Sequence, residues 1–361
     1  MKIEKPAVAG TLESSDAMVT IEPNEEGGIT LELDSSVIQQ YGRKITEVVL
    51  ETLERLEVSD ARVHIVDKGA LDCTLKARVE CAVYIKDPYI YKPDSIMLDL
   101  EDAVAEKEKD AARYSLYHAL QEIDYHGVER VVRINGLDSE YWKEDIRASV
   151  AGGADSIRIP KTESAKDVRM VEEEIRKAEA EFGIPEGRTL IMAALESAMG
   201  IMNALEICQS SERLFGIALS GGDYSKDLQT TISGTGVEFA GARQLMIIAA
   251  RAAKVQCFDT VFTNLDDMEA FEKEVRMIKM MGFDGKSIIN PRQISVVHNV
   301  YTPTEKEIIF SEKVVKEIDE KKAMGIGVFT VDGKMIDIAF YDGAKRVIEL
   351  AKASGVYKGD L

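Results

Sequence analysis

The chain has 361 residues, and its 45 lysine and arginine side chains stand against 64 aspartate and glutamate side chains, for a formal net charge of −19. Because an acidic surface repels phosphate, this balance argues against a nucleic-acid partner. A hydrophobic content of 45% is ordinary for a globular protein, and the length predicts about two domains.

The sequence also argues against a membrane partner. It contains no run of about 18 apolar residues, and its first residues lack the apolar segment of a signal peptide. We therefore expect a cytoplasmic protein. The four cysteines form no CxxC pair, so neither a disulfide framework nor a zinc site is indicated, and we expect buried thiols. They are Cys73, Cys81, Cys208 and Cys257.

The N-terminal part of the chain predicts a small α+β unit. Alternating apolar residues on both sides of a glycine turn at residues 24–28 are typical of a β-hairpin. Apolar residues at helical spacing then predict a helix over residues 37–56. Residues 61–66 and 73–84 are interpreted as two further strands.

From about residue 85 the pattern becomes strand, polar tip and helix, repeated. Such alternation predicts a parallel sheet, and the number of units favours a (β/α)8 TIM-type barrel. Seven strands are clear, whereas a closed barrel of this type needs eight. The predicted strands are residues 95–98, 130–134, 156–159, 190–194, 214–219, 259–262 and 286–289.

Local signals mark helix starts and a C-terminal hairpin. Ser164 with Asp167, and Asp266 with Glu269, match the spacing of a capping box at a helix N-terminus. Near the end of the chain, the pair Asp332-Gly333 between two short apolar runs is typical of a type I′ turn. A last helix follows this hairpin.

Polar residues follow nearly every predicted strand. In a βα barrel the chemistry lies where the strands end, so we expect these side chains to share one face. Each alone could be a helix cap or a surface ion pair. Together, carboxylates crowded around one arginine and one lysine call for a divalent cation or an anionic ligand. Oxygen ligands favour Mg²⁺ or Mn²⁺ over zinc. The residues are Asp99, Glu101, Asp102, Arg133, Asn135, Lys161, Glu196, Asp223, Thr263, Asn264 and Asn290.

Longer motifs indicate that the chain resembles two subunits of citrate lyase joined end to end. PAVAGTLES at residues 6–14 and DKGALDC at residues 67–73 are similar to the acyl carrier (gamma) subunit. The remainder is similar to the beta subunit, and we therefore predict a carrier-like domain over residues 1–84 and a lyase domain over residues 85–361. The beta-type motifs are IMLDLEDAV at 96–104, VRINGL at 132–137, IPKTES at 159–164, GKSIINPRQ at 285–293 and DGKMID at 332–337.

The resemblance implies particular site residues. The carrier serine of the family bears a phosphoribosyl-dephospho-coenzyme A arm, which falls on Ser14 here, with Ser15 as the adjacent alternative. Glu196 and Asp223 match the Mg²⁺ ligands of the beta subunit. Arg133 matches an arginine that binds a substrate carboxylate, and Asp337 matches an acid that enters the active site of a neighbouring subunit in related lyases.

The implied reaction is Mg²⁺-dependent cleavage of a citryl thioester on the carrier into an acetyl thioester and oxaloacetate. We expect Lys161 to assist catalysis by balancing charge, and we expect Asn135, Glu101 and Asp102 to bind substrate. Glu101 and Asp102 are also candidates for proton transfer, and the general base is left open. The implied partners are the citrate lyase alpha (acyl transferase) subunit and further copies of this chain.

One segment departs from the family. The beta subunit usually begins with a strand and loop of the Arg-Ser-x-Leu-Phe-Val-Pro-Gly kind, whereas here residues 81–86 lead almost directly into residues 87–94. Either residues 79–86 complete the barrel, or a gap stays open, or a deletion has joined two genes. Two alternative functions follow: a catalytically impaired fusion that acts as carrier and assembly component, or a lyase for another acyl-coenzyme A such as malyl-coenzyme A.

Overall fold

The fold comes from a computed structural model, which describes residues 3, 7–10, 16–85 and 92–359. The chain divides into two compact units. The first comprises Met1–Ile96 and Ile123–Glu129, and the second comprises Met97–Glu122 and Arg130–Leu361. Ser14, the predicted attachment site of the arm, lies outside the described residues.

The first unit is an α+β structure with a four-stranded sheet in the order β1-β2-β4-β3. Apolar residues alternate along its strands and recur every three or four positions on its first helix, so that one face of each is buried. The elements are β1 (Ala7–Ala9), β2 (Ala17–Glu22), β3 (Ile29–Ser35), α1 (Ile38–Arg55), β4 (Ala61–Asp67) and α2 (Asp72–Ile85).

The predicted hairpin at residues 24–28 is wrong. The strands β2 and β3 do flank this turn, but β4 lies between them in the sheet. It pairs antiparallel with β2 and parallel with β3. The alternating buried residues Ala61, Val63 and Ile65 of β4 suit it for this central position, which local sequence patterns do not reveal.

The predicted strand over residues 73–84 is also wrong, because this segment is the helix α2. Its buried residues Leu75, Val79, Ala82 and Val83 follow the spacing of one helix face and belong to the core of the first unit. Residues 79–85 therefore do not supply a strand to the barrel, which removes that interpretation of the junction.

A seven-stranded sheet forms the centre of the second unit, and its strands are neighbours in chain order from β5 to β11. They run parallel from β6 to β11. The strands are β5 (Ser95–Asp99), β6 (Glu129–Arg133), β7 (Ser156–Ile159), β8 (Leu190–Leu195), β9 (Leu214–Leu219), β10 (Gln256–Asp259) and β11 (Gly285–Lys286).

Helices follow these strands, as an α/β fold requires. Strands β7, β8 and β9 are almost wholly buried, as expected where both faces of a parallel sheet are covered. The helices are α3 (Lys109–Glu122), α4 (Trp142–Gly152), α5 (Ala165–Phe182), α6 (Ala198–Met202), α7 (Ala204–Cys208), α8 (Gly221–Asp227), α9 (Ala240–Ala253), α10 (Met268–Met281) and α11 (Arg292–Tyr301).

The sheet is a curled half-barrel, so the α/β class is confirmed but the closed (β/α)8 barrel is not. Within the described part of the chain, the terminal strands β5 and β11 each pair with one neighbour only. Closure of a barrel requires a full set of tilted strands. Three strands also begin earlier than predicted, β10 by three residues and β6 and β11 by one each, because their pairing sets their position.

The C-terminal segment forms a small layer with its own apolar cluster. The hairpin at Asp332-Gly333 is confirmed, with positive φ angles of 47° and 79°. Its elements are α12 (Glu305–Ala323), β12 (Val328–Val331), β13 (Lys334–Asp337) and α13 (Phe340–Ala353). None of the described helices in the chain has both the length and the apolar composition to cross a bilayer.

The capping box at Ser164 allows a stability test. The Ser164 hydroxyl accepts the backbone N–H of Asp167, and the Asp167 carboxylate accepts the backbone N–H of Ser164. We expect Ser164→Ala to lower the free energy of unfolding by about 1 kcal/mol, measured by urea denaturation. The second predicted box is wrong, because Asp267 rather than Asp266 caps α10 and its N3 residue, Ala270, has no polar side chain to complete a box.

The cysteines differ in exposure, so the prediction of buried thiols is correct for two of the four. Cys208 and Cys257 are buried, whereas Cys73 and Cys81 are exposed. Burial raises the pKa of Cys208 to about 12, and only thiolates react readily. Burial of the thiol also raises the pKa of Cys81. We therefore expect a thiol reagent at neutral pH to modify Cys73 rapidly, Cys81 more slowly, and Cys208 and Cys257 only after denaturation, as counted by mass spectrometry. Rapid modification of all four in the folded protein would contradict this.

Candidate active site

Register places several functional side chains on one face of the sheet. Arg133 on β6 is paired with Arg158 on β7, which is paired with Met192 on β8. Residues in register on parallel strands point to the same side, and so do residues two apart on one strand. Glu196 directly follows β8 and Ser220 directly follows β9, at the same ends of the strands.

An ion network links the ends of β5 and β6. Arg133 donates from Nε and Nη2 to the two Asp99 oxygens at 2.8 and 2.6 Å. Its Nη1 lies 2.8 Å from Glu101 Oε2. Burial opposes ionisation of Asp99, but the hydrogen bond and charge of Arg133, together with the backbone N–H groups of Glu101 and Ala103, outweigh it and hold the pKa of Asp99 below its usual value. Arg133 therefore already contacts two carboxylates.

Lys161 approaches the same cluster from the loop after β7. Its Nζ donates to Glu101 Oε1 at 2.6 Å. The backbone of Lys161 has φ = 48°, a left-handed conformation that a side chain with a Cβ seldom adopts. Such strain is typical of functional positions. Glu101, 4% exposed, is thus held between Lys161 and Arg133.

Two other predicted substrate-binding residues lie differently. Asp102 is exposed, with one carboxylate oxygen 3.9 Å from Arg133 Nη1. Asn135 is buried, and its side-chain and backbone nitrogens donate to Asp145 Oδ2 at 2.6 and 2.9 Å. Asp145 also accepts from Arg113. The amide nitrogen of Asn135 is therefore used to hold the loop after β6.

Glu196 has the most unusual surroundings. Its carboxylate is 3% exposed, and neither oxygen has a hydrogen-bond partner of ordinary geometry. Burial raises the pKa of Glu196, and the nearby carboxylates of Glu101 and Asp223 act in the same direction, whereas the Ser220 hydroxyl and the charge of Arg158 act against them. A buried carboxylate without partners is costly, so this side chain is suited to meet a cation.

Asp223 lies in the first turn of α8, half-buried and close enough to Glu196 to affect its pKa. The preceding Gly221 is required by packing, since a Cβ there would lie 2.8 Å from Thr260 Oγ1 and 2.9 Å from the Phe239 ring. Among the residues that the structure describes, no three histidine, cysteine or acidic side chains group as a metal site. Two carboxylates are still enough for Mg²⁺, which retains water and binds substrate oxygens.

The sequence reasoning missed Arg158 and a buried charge network. Arg158 is the one cation within the otherwise apolar stretch of β7, and this was the available signal. The network joins Arg243 and Lys286 to Asp259 and Glu274 at 2.6 to 3.2 Å. It holds the end of β10 beside Gly221, whose N–H donates to Thr260.

Other predicted tip residues have local roles or lie apart. Asn264 and Asn290 accept backbone N–H groups within their own turns. Asp337, at the end of β13, accepts the N–H of Ala339. None of the contacts described for Asp337 joins it to Arg133 or Glu196, so its predicted role in a neighbouring subunit is untested.

Comparison with known families agrees with both parts of the chain. Residues 79–291 match the model described as HpcH/HpaI aldolase/citrate lyase. Residues 4–85 match the ACP model, described as Malonate decarboxylase delta subunit (MdcD). The resemblance to an acyl carrier followed by a citrate lyase beta domain is therefore confirmed.

Curated relatives cover most of the second part. The citrate lyase subunit beta of Leuconostoc mesenteroides subsp. cremoris is 51% identical over 270 residues, 75% of this chain and 89% of the relative. That of Escherichia coli is 45% identical over 275 residues, 76% of this chain and 91% of the relative. A (3S)-malyl-CoA thioesterase of Cereibacter sphaeroides is 33% identical over 264 residues, which are 73% of this chain and 88% of the relative.

Solved structures show the same fold. The CitE protein from Mycobacterium tuberculosis in complex with magnesium, acetoacetate and coenzyme A has 26% identity and a TM-score of 0.57, covering 76% of this chain and 94% of that one. A citrate lyase from Burkholderia xenovorans LB400 has 18% identity and a TM-score of 0.64, and the match covers 74% of this chain and 86% of that one. The chain therefore belongs to the HpcH/HpaI aldolase/citrate lyase family, which confirms the prediction of a carbon–carbon lyase.

Proposed function

We propose that this chain is a citrate lyase component that cleaves a carrier-bound citryl thioester into an acetyl thioester and oxaloacetate. The observation that carries the proposal is the buried carboxylate of Glu196, whose oxygens lack partners beside Asp223. Family membership and the citrate lyase beta relatives support the choice of reaction.

Glu196 and Asp223 fit a Mg²⁺ ion by the chemistry of their donors. Both are hard oxygen ligands, and the unsatisfied lone pairs of Glu196 would be met by a cation. A similar solved structure is described in complex with magnesium. When bound, Mg²⁺ supplies a Lewis acid that stabilises negative charge on the substrate oxygen.

The remaining residues of the cluster would bind substrate and balance charge. Arg133 uses two of its five N–H groups in hydrogen bonds to Asp99, and its Nη1 lies 2.8 Å from Glu101 Oε2, so N–H groups remain for a substrate carboxylate. Lys161 and Arg133 place two positive charges beside the Glu101 carboxylate and so balance the negative charge of the cluster. We infer that Asp102, at the exposed rim, contacts the bound thioester.

In the cleavage, the hydroxyl proton of the citryl group passes to a base and the hydroxyl oxygen becomes the keto oxygen of oxaloacetate. The electrons of the broken carbon–carbon bond form the enolate of the acetyl thioester, which is then protonated on carbon. Asp337 of a neighbouring copy is our candidate for a catalytic acid or base, following the family resemblance. This assignment requires a homo-oligomer.

The first part of the chain would present the thioester. We propose that Ser14 bears a phosphoribosyl-dephospho-coenzyme A arm, in agreement with the ACP family match, and that residues 1–84 and 85–361 act as carrier and lyase. The alpha subunit of citrate lyase would load the citryl group. A mass spectrum of the protein from its host should show the mass of the arm on Ser14.

Oxaloacetate release tests the function directly. Protein that carries the arm and a citryl group should release oxaloacetate in the presence of Mg²⁺. This release should stop when a chelator removes the metal. Absence of oxaloacetate from correctly loaded protein, under conditions in which an intact citrate lyase is active, would instead support a carrier with an impaired lyase part.

A malyl thioester is the second candidate substrate, favoured by the 33% identical (3S)-malyl-CoA thioesterase. Turnover of free malyl-coenzyme A and citryl-coenzyme A should be compared at equal concentration. Faster cleavage of the malyl compound would favour this alternative.

A further inference from the structure

The side chain of Arg158 lies inside the second unit without a carboxylate partner. It is 7% exposed. Its Nη2 donates to Ser220 Oγ at 3.0 Å, and its Nη1 lies 4.0 Å from the sulfur of Met192. Its Nε has no hydrogen-bond partner. A hydroxyl and a thioether do not neutralise a guanidinium.

The other strongly buried arginines of the described chain are paired. Arg213 contacts Glu179 at 2.7 Å, and Arg243 contacts Asp259 at 2.8 Å. Burial lowers the pKa of Arg158 to about 10, which leaves it charged at neutral pH. Glu196 compensates this charge only at a distance, without an ion pair. Because a buried charge with so little compensation is expensive, the position of Arg158 indicates an anionic ligand.

Small residues lie beyond Arg158 on the same face of the sheet. Ala194 on β8 lies two residues beyond Met192, the register partner of Arg158, and Ala218 on β9 is in register with Ala194. These methyl side chains point to the same face as Arg158. They leave room for the guanidinium to extend towards the strand ends, where Ser220 and Glu196 lie.

The charged groups that the structure describes near Arg158 do not form an ion pair with its guanidinium. Arg133, the register neighbour of Arg158, is held by Asp99 and Glu101. Glu196 is close enough to influence Arg158, but a cation bound by Glu196 would withdraw that compensation. A ligand that carries a carboxylate beside the cation would satisfy both sites.

We propose that Arg158 binds the second carboxylate of a citryl substrate and thereby makes the site prefer citryl over malyl thioesters. The inference rests on the proposed function for its substrate class. A citryl thioester has two free carboxylates and a malyl thioester has one. The cleavage products of the citryl group retain both carboxylates on oxaloacetate, which therefore serves as a simple probe.

The test compares two keto acids that differ by one carboxylate. Full-length wild type and Arg158→Met are titrated with oxaloacetate and with pyruvate in the presence of Mg²⁺, by calorimetry. Loss of a buried charged contact should weaken oxaloacetate binding by about 30-fold or more, whereas pyruvate binding should change by less than about threefold. Arg158→Lys should restore part of the discrimination, because lysine retains the charge but not the bidentate geometry.

The inference would be overturned if Arg158→Met weakened the binding of oxaloacetate and pyruvate equally, or if it weakened the binding of neither. So would a wild type that binds oxaloacetate no more tightly than pyruvate. Thermal unfolding separates binding from folding, because removal of an unpaired buried charge should leave the melting temperature of Arg158→Met unchanged or raised. Since no turnover is required, discrimination without citryl cleavage would refute the proposed function and leave this inference standing.

Discussion

Glu196→Gln should reduce oxaloacetate formation by about 100-fold or more. The substitution retains the shape of the side chain and removes its negative charge. A divalent cation would therefore lose a ligand, and the transition state would lose electrostatic stabilisation. Steady-state release of oxaloacetate from the citryl-loaded protein measures this effect.

A direct measurement of metal binding supports the kinetic result. Titration with Mn²⁺, followed by electron paramagnetic resonance, should show much weaker binding to Glu196→Gln than to wild type. Glu206→Gln is the matched control, because Glu206 is an exposed glutamate on the nearby helix α7, and it should behave as wild type. Unchanged Mn²⁺ affinity in Glu196→Gln would exclude Glu196 as a ligand.

Asp259→Asn should lower the free energy of unfolding by about 3–5 kcal/mol, because it leaves two buried cations facing one carboxylate. Asp259 and the Lys286 side chain are 0% exposed, and Arg243 is 1% exposed. Burial alone would raise the pKa of Asp259, but Lys286 and Arg243 outweigh it and lower that pKa. Asp259 is therefore ionised at neutral pH, and the asparagine removes a real charge.

Urea denaturation of four variants, Asp259→Asn, Lys286→Met, their combination and Glu272→Gln, tests the charge balance. Glu272→Gln breaks an exposed pair with Arg276 and should cost less than about 1 kcal/mol. Asp259→Asn combined with Lys286→Met leaves Arg243 and Glu274 as one matched pair. This double variant should be less destabilised than the sum of its single variants, and simple additivity would contradict a coupled network.

Short-range features were predicted well because nearby residues determine them. The capping box at Ser164 and the turn at Asp332-Gly333 involve residues within three positions of one another. The error at α2 has the same origin. Apolar residues from 73 to 84 fit a strand about as well as a helix, and packing within the first unit decides between them.

The sequence predicted which residues belong to the candidate site better than it predicted which groups they contact. Polar residues after successive parallel strands must lie at one edge of the sheet, so Asp99, Arg133 and Lys161 could be grouped in advance. Their partners could not be predicted. Asn135 donates to Asp145, and Arg158 was overlooked because its one signal, a single cation within a short strand, does not show which residues it will contact.

The sequence by itself determined the family, the α/β alternation and the acidic residues at the strand ends, because these depend on order along the chain. Only the tertiary structure decided that β4 separates β2 from β3 and that the seven-stranded sheet stays open among the described residues. It also decided that Glu196 is buried without a hydrogen-bond partner. Strand pairing and burial depend on residues far apart in the chain, and their free energies exceed the local preferences that a sequence pattern reveals.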